Sequence, residues 1–380
     1  SRCNRQGSAT LAHRSPTCRP TSPGRFAHVP DLSVAFCERA LELAAPGGVV
    51  GMLVPAKLAT TGYAEALRRH LAGATQLERV APLDDAGAAF GAAVYPMALV
   101  TARRDPEPTA SACCALGPDS PGPMLPQRLL QAPGPWILVP DGGAVARRLA
   151  RDCPVIRDRW NPCLGVKTGA DAVFLVPEAV PGARPAVRGR DLARWLATPR
   201  LFLLWPHDSI GRPLARLEGP LALRLTPHLE RLKRRTDYRG GPAWQLFRTK
   251  LALSPHRVLW RDLARELTAV VPPSEVVPLN TVYGIVTRTA DDAHALAALL
   301  NTSWCTALAR LGADRARGGF RRFNASVVGG LPLPVTDQRA WTALAEHGRR
   351  CEPADALTAD LYHLDAADRR ALARLAPNPR

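Results

Sequence analysis

Residues 49–55, VVGMLVP, constrain the fold of this chain more than any other stretch. Seven apolar residues in a row are too few for an ordinary helix. Coming just after the stop Pro46-Gly47-Gly48, they have the size of a buried strand. The flanks then set the class. DLSVAFCERALELA (31–44) opens on a candidate N-cap, Asp31 or Ser33, and carries Val34, Phe36, Cys37, Ala40, Leu41 and Ala44 near helical spacing. GYAEALRRHLAG (62–73) reads as a second helix with Gly73 near its end, and LERVAPL (77–83) and AAVYPMALVTAR (92–103) read as two more strands. Helix–strand–helix–strand–strand is the order of an α/β layered sheet whose last two strands can pair as a hairpin.

The rest of the chain has a different texture. Residues 1–27 are rich in Ser, Arg, Pro and Cys without periodicity and read as a disordered or anomalous leader. Residues 105–135 hold eight prolines and read as an inter-domain linker or a long irregular excursion. After Trp136 come short strands (AVFLV, RLFLLWP, RVLWRDL, NTVYGIVT) among arginine-rich loops, then helices over about 290–312 and the stretch ARGGFRRFNASVVGGLPLP (316–334). Helices near 336–349 and 354–375 close the chain. The division expected is a partial α/β domain over 28–104, an α+β domain over 136–335 and C-terminal helices over 336–380. There is no internal repeat.

Charge narrows the function. The net charge is +17, yet only four of the 50 basic residues are lysines, a bias that a GC-rich genome produces by itself. Distribution therefore says more than the total. Residues 184–265 hold 18 Lys and Arg against 6 Asp and Glu, interleaved with Trp195, Trp205, Tyr238, Trp244 and Trp260. Such a surface suits a polyanion, nucleic acid first, with a merely solvated arginine face as the plain alternative. The nine cysteines include no C-x-x-C pair and no spacing suited to zinc, so no metal is expected. H-E-x-x-H and G-x-S-x-G are absent. No apolar run approaches the ~18 residues of a membrane helix, and the first residues lack a signal peptide's apolar middle, so the cytoplasm is expected.

GVKTGADAVFLV (165–176) contains the residue types of a phosphate loop, but its spacing excludes one. G-x-x-x-x-G-K-[ST] wraps phosphates with backbone N–H groups, whereas here Lys167 and Thr168 precede the second glycine. Taken with its neighbours, the stretch points elsewhere. PDLSVAFCERALELAAPGGVVGMLVPAKLATTGYAEALRRHL, FGAAVYPMALVTAR, GVKTGADAVFLV, VRGRDLARW, LNTVYGIV, LLNTSW, GGFRRFNASVVGGLPLP and ADLYHLD follow one another over roughly residues 28–370. In that order they resemble the bacterial adenine-specific (N6) DNA methyltransferases with a C-terminal target-recognition domain, the group that includes the type IIG restriction–modification proteins.

The resemblance implies the C-terminal part of a Rossmann-like methyltransferase sheet followed by an α+β target-recognition domain. It implies double-stranded DNA as partner and S-adenosylmethionine as cofactor, with adenine flipped out of the duplex. The family's glycine-rich turn and its [DNS]-P-P-[YFW] loop are not found here, NPCL (161–164) being only a shard. The chain is therefore expected to be an N-terminally truncated fragment, inactive alone, with the missing methyltransferase half or a separate catalytic chain as its other partner. The alternative is a non-catalytic, sequence-specific DNA-binding module.

Candidate residues follow. Phe90 matches the aromatic that stacks on the flipped adenine, a contact worth about 1–3 kcal/mol, and reads equally well as a core residue. Pro55 and Lys57 follow a strand end, where α/β sheets place ligand-facing loops, though a solvated lysine is the plainer reading. Lys167 and Thr168 fit phosphate or base-edge contacts. Arg188 and Arg190 share a loop with Asp191, which can simply orient an arginine. Arg234, Arg235 and Arg239 end a basic helix, with a solvated face as the alternative. Arg317, Arg321 and Arg322 surround paired glycines that would let backbone approach DNA. Some of these arginines are expected to read guanine and others to hold phosphates.

Overall fold

The computed structural model describes residues 31–83, 95–115 and 123–376. The chain divides into two compact units, Ser1–Ala144 with Asp314–Gly318, and Val145–Ala313 with Gly319–Arg380.

In the first unit, helix α1 (Leu32–Leu43) starts where the Asp31 carboxylate accepts hydrogen bonds from the Ser33 backbone N–H (3.1 Å) and hydroxyl (2.8 Å). Gly47, at φ +78°, reverses the chain into strand β1 (Val49–Pro55). Helix α2 (Glu65–Ala74) and strands β2 (Gln76–Pro82), β3 (Pro96–Ala102), β4 (Ser111–Cys113) and β5 (Met124–Pro126) follow. The sheet order is β1-β3-β2-β4-β5. Strand β3 runs antiparallel to both β1 and β2, so the expected hairpin forms, and β1 and β2, joined through α2, are parallel. One face of the sheet is buried: Val54, Leu77 and Leu99 pack with Val34, Cys37 and Leu41 of α1 and Leu67 and Leu71 of α2.

The proline-rich stretch expected to be a linker is instead part of this sheet. It contributes two three-residue strands, the second flanked by Pro123 and ending on Pro126, and Ala112, Leu125, Leu130 and Trp136 sit in the same core. The side chain of Gln127 stitches the stretch down. Its carbonyl accepts from the Leu77 backbone N–H (2.8 Å), and its amide donates to the Ala72 (2.8 Å) and Thr75 (2.6 Å) carbonyls.

The second unit carries strands β6 (Cys163–Leu164), β7 (Leu175–Val176), β8 (Ala183–Val187), β9 (Leu201–Leu204), β10 (Arg257–Arg261), β11 (Leu263–Ala264), β12 (Ala269–Val270), β13 (Val277–Pro278), β14 (Val282–Val286) and β15 (Phe320–Arg322). Two four-stranded sheets result, ordered β13-β8-β9-β7 and β12-β10-β14-β6. Where AVFLV reads as one strand, the structure makes a helical turn, Asp171–Phe174, before β7. The left-handed Gly169 (φ +65°) reverses the chain there, and the Val173 N–H closes the turn on the Ala170 carbonyl at 2.9 Å.

Helix α3 (Ala290–Leu300) is buried almost all round, as an internal helix must be, beside α4 (Ser303–Gly312). Helix α5 (Gln338–Arg350) approaches α3 so closely that a Cβ at Gly348 would lie 2.1 Å from the His294 carbonyl. Helices α6 (Asp355–Leu361) and α7 (Ala366–Ala373) bury Ala359 and Leu372 in the cluster that holds Trp260, Phe323 and Trp341. The C-terminal helices thus belong to the core of the second unit rather than forming a separate segment.

Candidate nucleic-acid interface

The turn at 165–171 is anchored by backbone first. The Gly165 N–H donates to Val282 O and the Val166 N–H to Pro278 O, both at 2.8 Å. Lys167 and Phe247 exchange N–H···O bonds at 2.9 and 3.0 Å. Gly165 tolerates no side chain, since a Cβ there would meet the Leu279 carbonyl at 2.4 Å. The Lys167 ammonium pairs with Asp237 and holds that carboxyl below its ordinary range, helped by Arg248 and Arg239. Thr168 is buried; its hydroxyl bonds Asp171 and accepts from the Ala170 N–H at 3.1 Å.

Arg235 is not on the surface. It is 7% exposed, and its guanidinium donates to four carbonyls: Leu232 (2.9 Å), Thr168 (2.5 Å), Ala243 (2.7 Å) and Gln245 (2.9 Å). It lies over Phe247 (4.7 Å) and Phe174 (5.5 Å), and burial pushes its pKa down. The expectation that Arg235 faces a ligand therefore gives way to a structural role, because every bond that satisfies it points inward. Thr168 likewise presents no free hydroxyl to solvent.

The other candidates are accessible. Arg188 is half-buried, 4.0 Å from Asp171, and its backbone N–H donates to Asp191 at 2.8 Å. Asp191 thus orders that loop, also lying 3.9 Å from Arg200. Arg190 and Arg234 are exposed, and neither is engaged by a side-chain hydrogen bond or ion pair among the described residues. The short helix Leu229–Lys233 ends just before Arg234. Exposed Arg239 reaches the Thr236 (2.6 Å) and Tyr238 (3.0 Å) carbonyls. Arg322 pairs with Asp262 at 2.6 Å, and half-buried Arg321 reaches the Ala313 carbonyl at 3.5 Å. Arg317 is exposed in the segment grouped with the first unit, beside the left-handed Gly318 and Gly319. In the first unit Lys57 pairs with Asp31 at 2.7 Å, which holds the lysine's pKa up. Phe90 lies outside the described residues.

Two kinds of residue escape sequence reasoning. Arg257 is fully buried with bonds to five carbonyls, and burial lowers its pKa to about 10. Arg184 serves Ala252, Ser274 and Glu275 in the same way and lies 4.7 Å from the Trp205 ring. These cations hold loops rather than ligands. Conversely, Arg248 and Tyr283 lie near the turn that carries Lys167. Tyr283 pairs with Leu164 across β14 and β6 and stacks on Trp260. Burial raises its phenol pKa, Asp262 adds to the rise, and Arg322 and Arg248 oppose it. Arg248 and Arg322 are thus set near a half-buried aromatic ring.

No family model matches the chain. The Type II methyltransferase M.XhoI of Xanthomonas vasicola is 26% identical over 383 residues, covering 89% of this chain and 69% of the relative. This chain is similar to the DNA methyltransferases of restriction–modification systems. Among solved structures, the type IIL restriction–modification enzyme MmeI in complex with DNA shares the fold with a TM-score of 0.59 at 14% identity, over 98% of this chain and 51% of that one. The type IIG restriction endonuclease BpuSI gives a TM-score of 0.43 at 14% identity, covering 99% and 51%. This chain therefore spans about half the length of these two enzymes.

The likeness to methyltransferases implies S-adenosylmethionine, and the described residues do not fit it. Strand β1 runs into Pro55 and Lys57 and β2 into Pro82 and Leu83, and no glycine-rich turn follows either strand among the described residues. The nearby carboxylate, Asp31, already caps α1 and pairs with Lys57. No methyl-transfer step is assigned to these residues. Among the described residues no three His, Cys, Asp or Glu gather as metal ligands, and no helix is long and apolar enough to cross a membrane.

Proposed function

We propose that this chain is the sequence-reading part of a site-specific, adenine-specific (N6) DNA methyltransferase. The observation that carries the reading is the 26% identity to a type II methyltransferase across 89% of the chain. In the intact reaction a methyl group passes from S-adenosylmethionine to adenine N6. The first unit supports the assignment to the C-terminal part of a Rossmann-like sheet, for it holds two parallel strands joined through a helix. With no [DNS]-P-P-[YFW] loop in the sequence, acceptors for the exocyclic amine must come from elsewhere, and this chain alone binds duplex DNA without turning it over. Phe90 would supply the stacking face.

In the second unit Lys167, Arg188, Arg190, Arg234, Arg239, Arg321 and Arg322 are the accessible cations for phosphate and base contacts, and in the first unit Arg317 is a candidate phosphate contact by itself. Thr168 and Arg235 act one step back, holding the turn that presents Lys167. The absent catalytic loop also favours a second reading, a specificity module that serves a separate catalytic chain. Adding S-adenosylmethionine separates the two from a self-sufficient enzyme. Micromolar binding with methyl transfer by the chain alone would refute both.

DNA binding itself is tested by fluorescence anisotropy of a labelled duplex between 50 and 200 mM salt. Replacing Arg190 and Arg234 together with alanine should weaken binding to every sequence. It should also flatten the plot of log K against log salt by about 2, because each lost phosphate contact releases about one fewer counterion. An unchanged slope would remove both residues from the interface.

A further inference from the structure

Four described non-glycine residues have a positive φ: Trp195, Arg248, Cys351 and His363. Cys351 caps α5, and His363 follows α6, its N–H donating to Asp360 O at 3.0 Å. Trp195 turns the chain between the paired segments Leu192–Ala193 and Leu196–Ala197. Each of these serves a chain reversal. Arg248, at φ +61°, caps no helix and closes no hairpin. The left-handed region is unfavourable for a side chain with a Cβ, and glycine or asparagine is its ordinary occupant. Such strain persists only where the surroundings hold it in place.

Here they do. Phe247, the preceding residue, is bridged to Lys167 by two backbone hydrogen bonds, and its ring lies 4.7 Å from the Arg235 guanidinium. The buried Arg235 frame therefore sets where the Arg248 side chain leaves the surface. The side chain is exposed, and no hydrogen bond or ion pair engages it among the described residues. Its neighbours Lys167 and Arg322 are already paired with Asp237 and Asp262. Those two cations are suited to hold a backbone by exchanging a carboxylate for a phosphate. Arg248 is a rigidly mounted, unengaged fork.

We propose that Arg248 is a specificity-determining residue that reads a guanine edge in the major groove, its two donors meeting O6 and N7, while Lys167 and Arg322 hold flanking phosphates. The proposal rests on the DNA-reading function above. A guanidinium presents its donors in a rigid planar fork, whereas an ammonium is a point charge on a flexible stem, and preorganisation makes the fork the more selective.

The test selects bound duplexes from a random pool with the full chain, in wild-type form and as Arg248→Lys and Arg248→Gly. Glycine accepts the left-handed backbone, so Arg248→Gly should melt no lower than wild type. Wild type should enrich a motif containing a guanine that both variants lose, with the other positions kept. Affinity for the wild-type motif should fall about tenfold or more in both variants. Retention of the guanine by Arg248→Lys, with its loss in Arg248→Gly alone, would show that a point charge reads the base as well as the fork does, and would overturn the preorganised bidentate geometry. An unchanged motif in both variants would overturn it outright. A wild-type chain that binds duplexes without any motif would instead sink the sequence-reading function, and with it the role of Arg248.

Discussion

Arg235→Ala should lower the stability of the second unit by about 4 kcal/mol, a large fraction of the roughly 5–15 kcal/mol that keeps a domain folded. Four carbonyls, those of Leu232, Thr168, Ala243 and Gln245, receive its N–H groups, and alanine leaves them without these donors in a site that is 7% exposed. An unsatisfied buried acceptor costs about 1–3 kcal/mol, and water reaching the more open Gln245 carbonyl offsets part of the sum. The Phe174 and Phe247 rings also lose the flat group between them. Arg235→Lys should recover less than half, since a single ammonium cannot span four acceptors or lie flat on a ring. Urea unfolding followed by tryptophan fluorescence measures both variants, with Trp244 near the lesion as the reporter. A loss below about 1 kcal/mol in Arg235→Ala would show that the frame around Lys167 does not depend on this guanidinium.

That arginine also marks where sequence reasoning ends. Arg234 and Arg235 are adjacent and chemically identical, yet one is exposed and the other enclosed. What separates them is the turn at Gly169, far earlier in the chain, whose left-handed backbone brings the Thr168 carbonyl to Arg235. No local pattern carries that information. The charge excess over 184–265 is legible, but part of it is scaffold, because Arg184, Arg235 and Arg257 serve backbone carbonyls. RVLWR was readable because it is buried along almost its whole length, whereas VVGMLVP, which has the size of a buried strand, does form a strand but fully buries only Val54, with Val49 and Leu53 exposed. Strands of three residues such as β4 and β5 are too short to be legible in this way, and the prolines of their stretch read as breaks. The strained backbone at Arg248 leaves no trace in sequence, since nothing in an arginine's neighbours announces a positive φ.

Glu38→Gln should stabilise the first unit by about 2 kcal/mol at pH 8 and leave it nearly unchanged at pH 4. Glu38 is 9% exposed on α1, and neither carboxyl oxygen has a hydrogen-bond partner among the described residues. Arg39 does not help it, since that guanidinium is paired with Glu42 at 2.8 Å. Burial therefore pushes the Glu38 carboxyl up to about 7 from its ordinary 4.5, and the Glu42 charge adds to the rise. A folded-state pKa above the unfolded one means that the folded protein binds the extra proton, so stability falls as pH rises. The loss begins near pH 4.5, deepens until the folded group ionises near pH 7, and is constant above that. A tenfold difference in proton affinity between the folded and unfolded chain is worth about 1.4 kcal/mol, and residual solvent access at the rim reduces the total toward about 2. Glutamine cannot ionise, so the variant should lack the slope between pH 4.5 and 7 while matching the protonated wild type below it. Thermal unfolding of both proteins at pH 4, 6 and 8 decides the matter. Parallel pH profiles would mean that the carboxylate is solvated or paired in solution, and that α1 packs less tightly over Glu38 than the described contacts require.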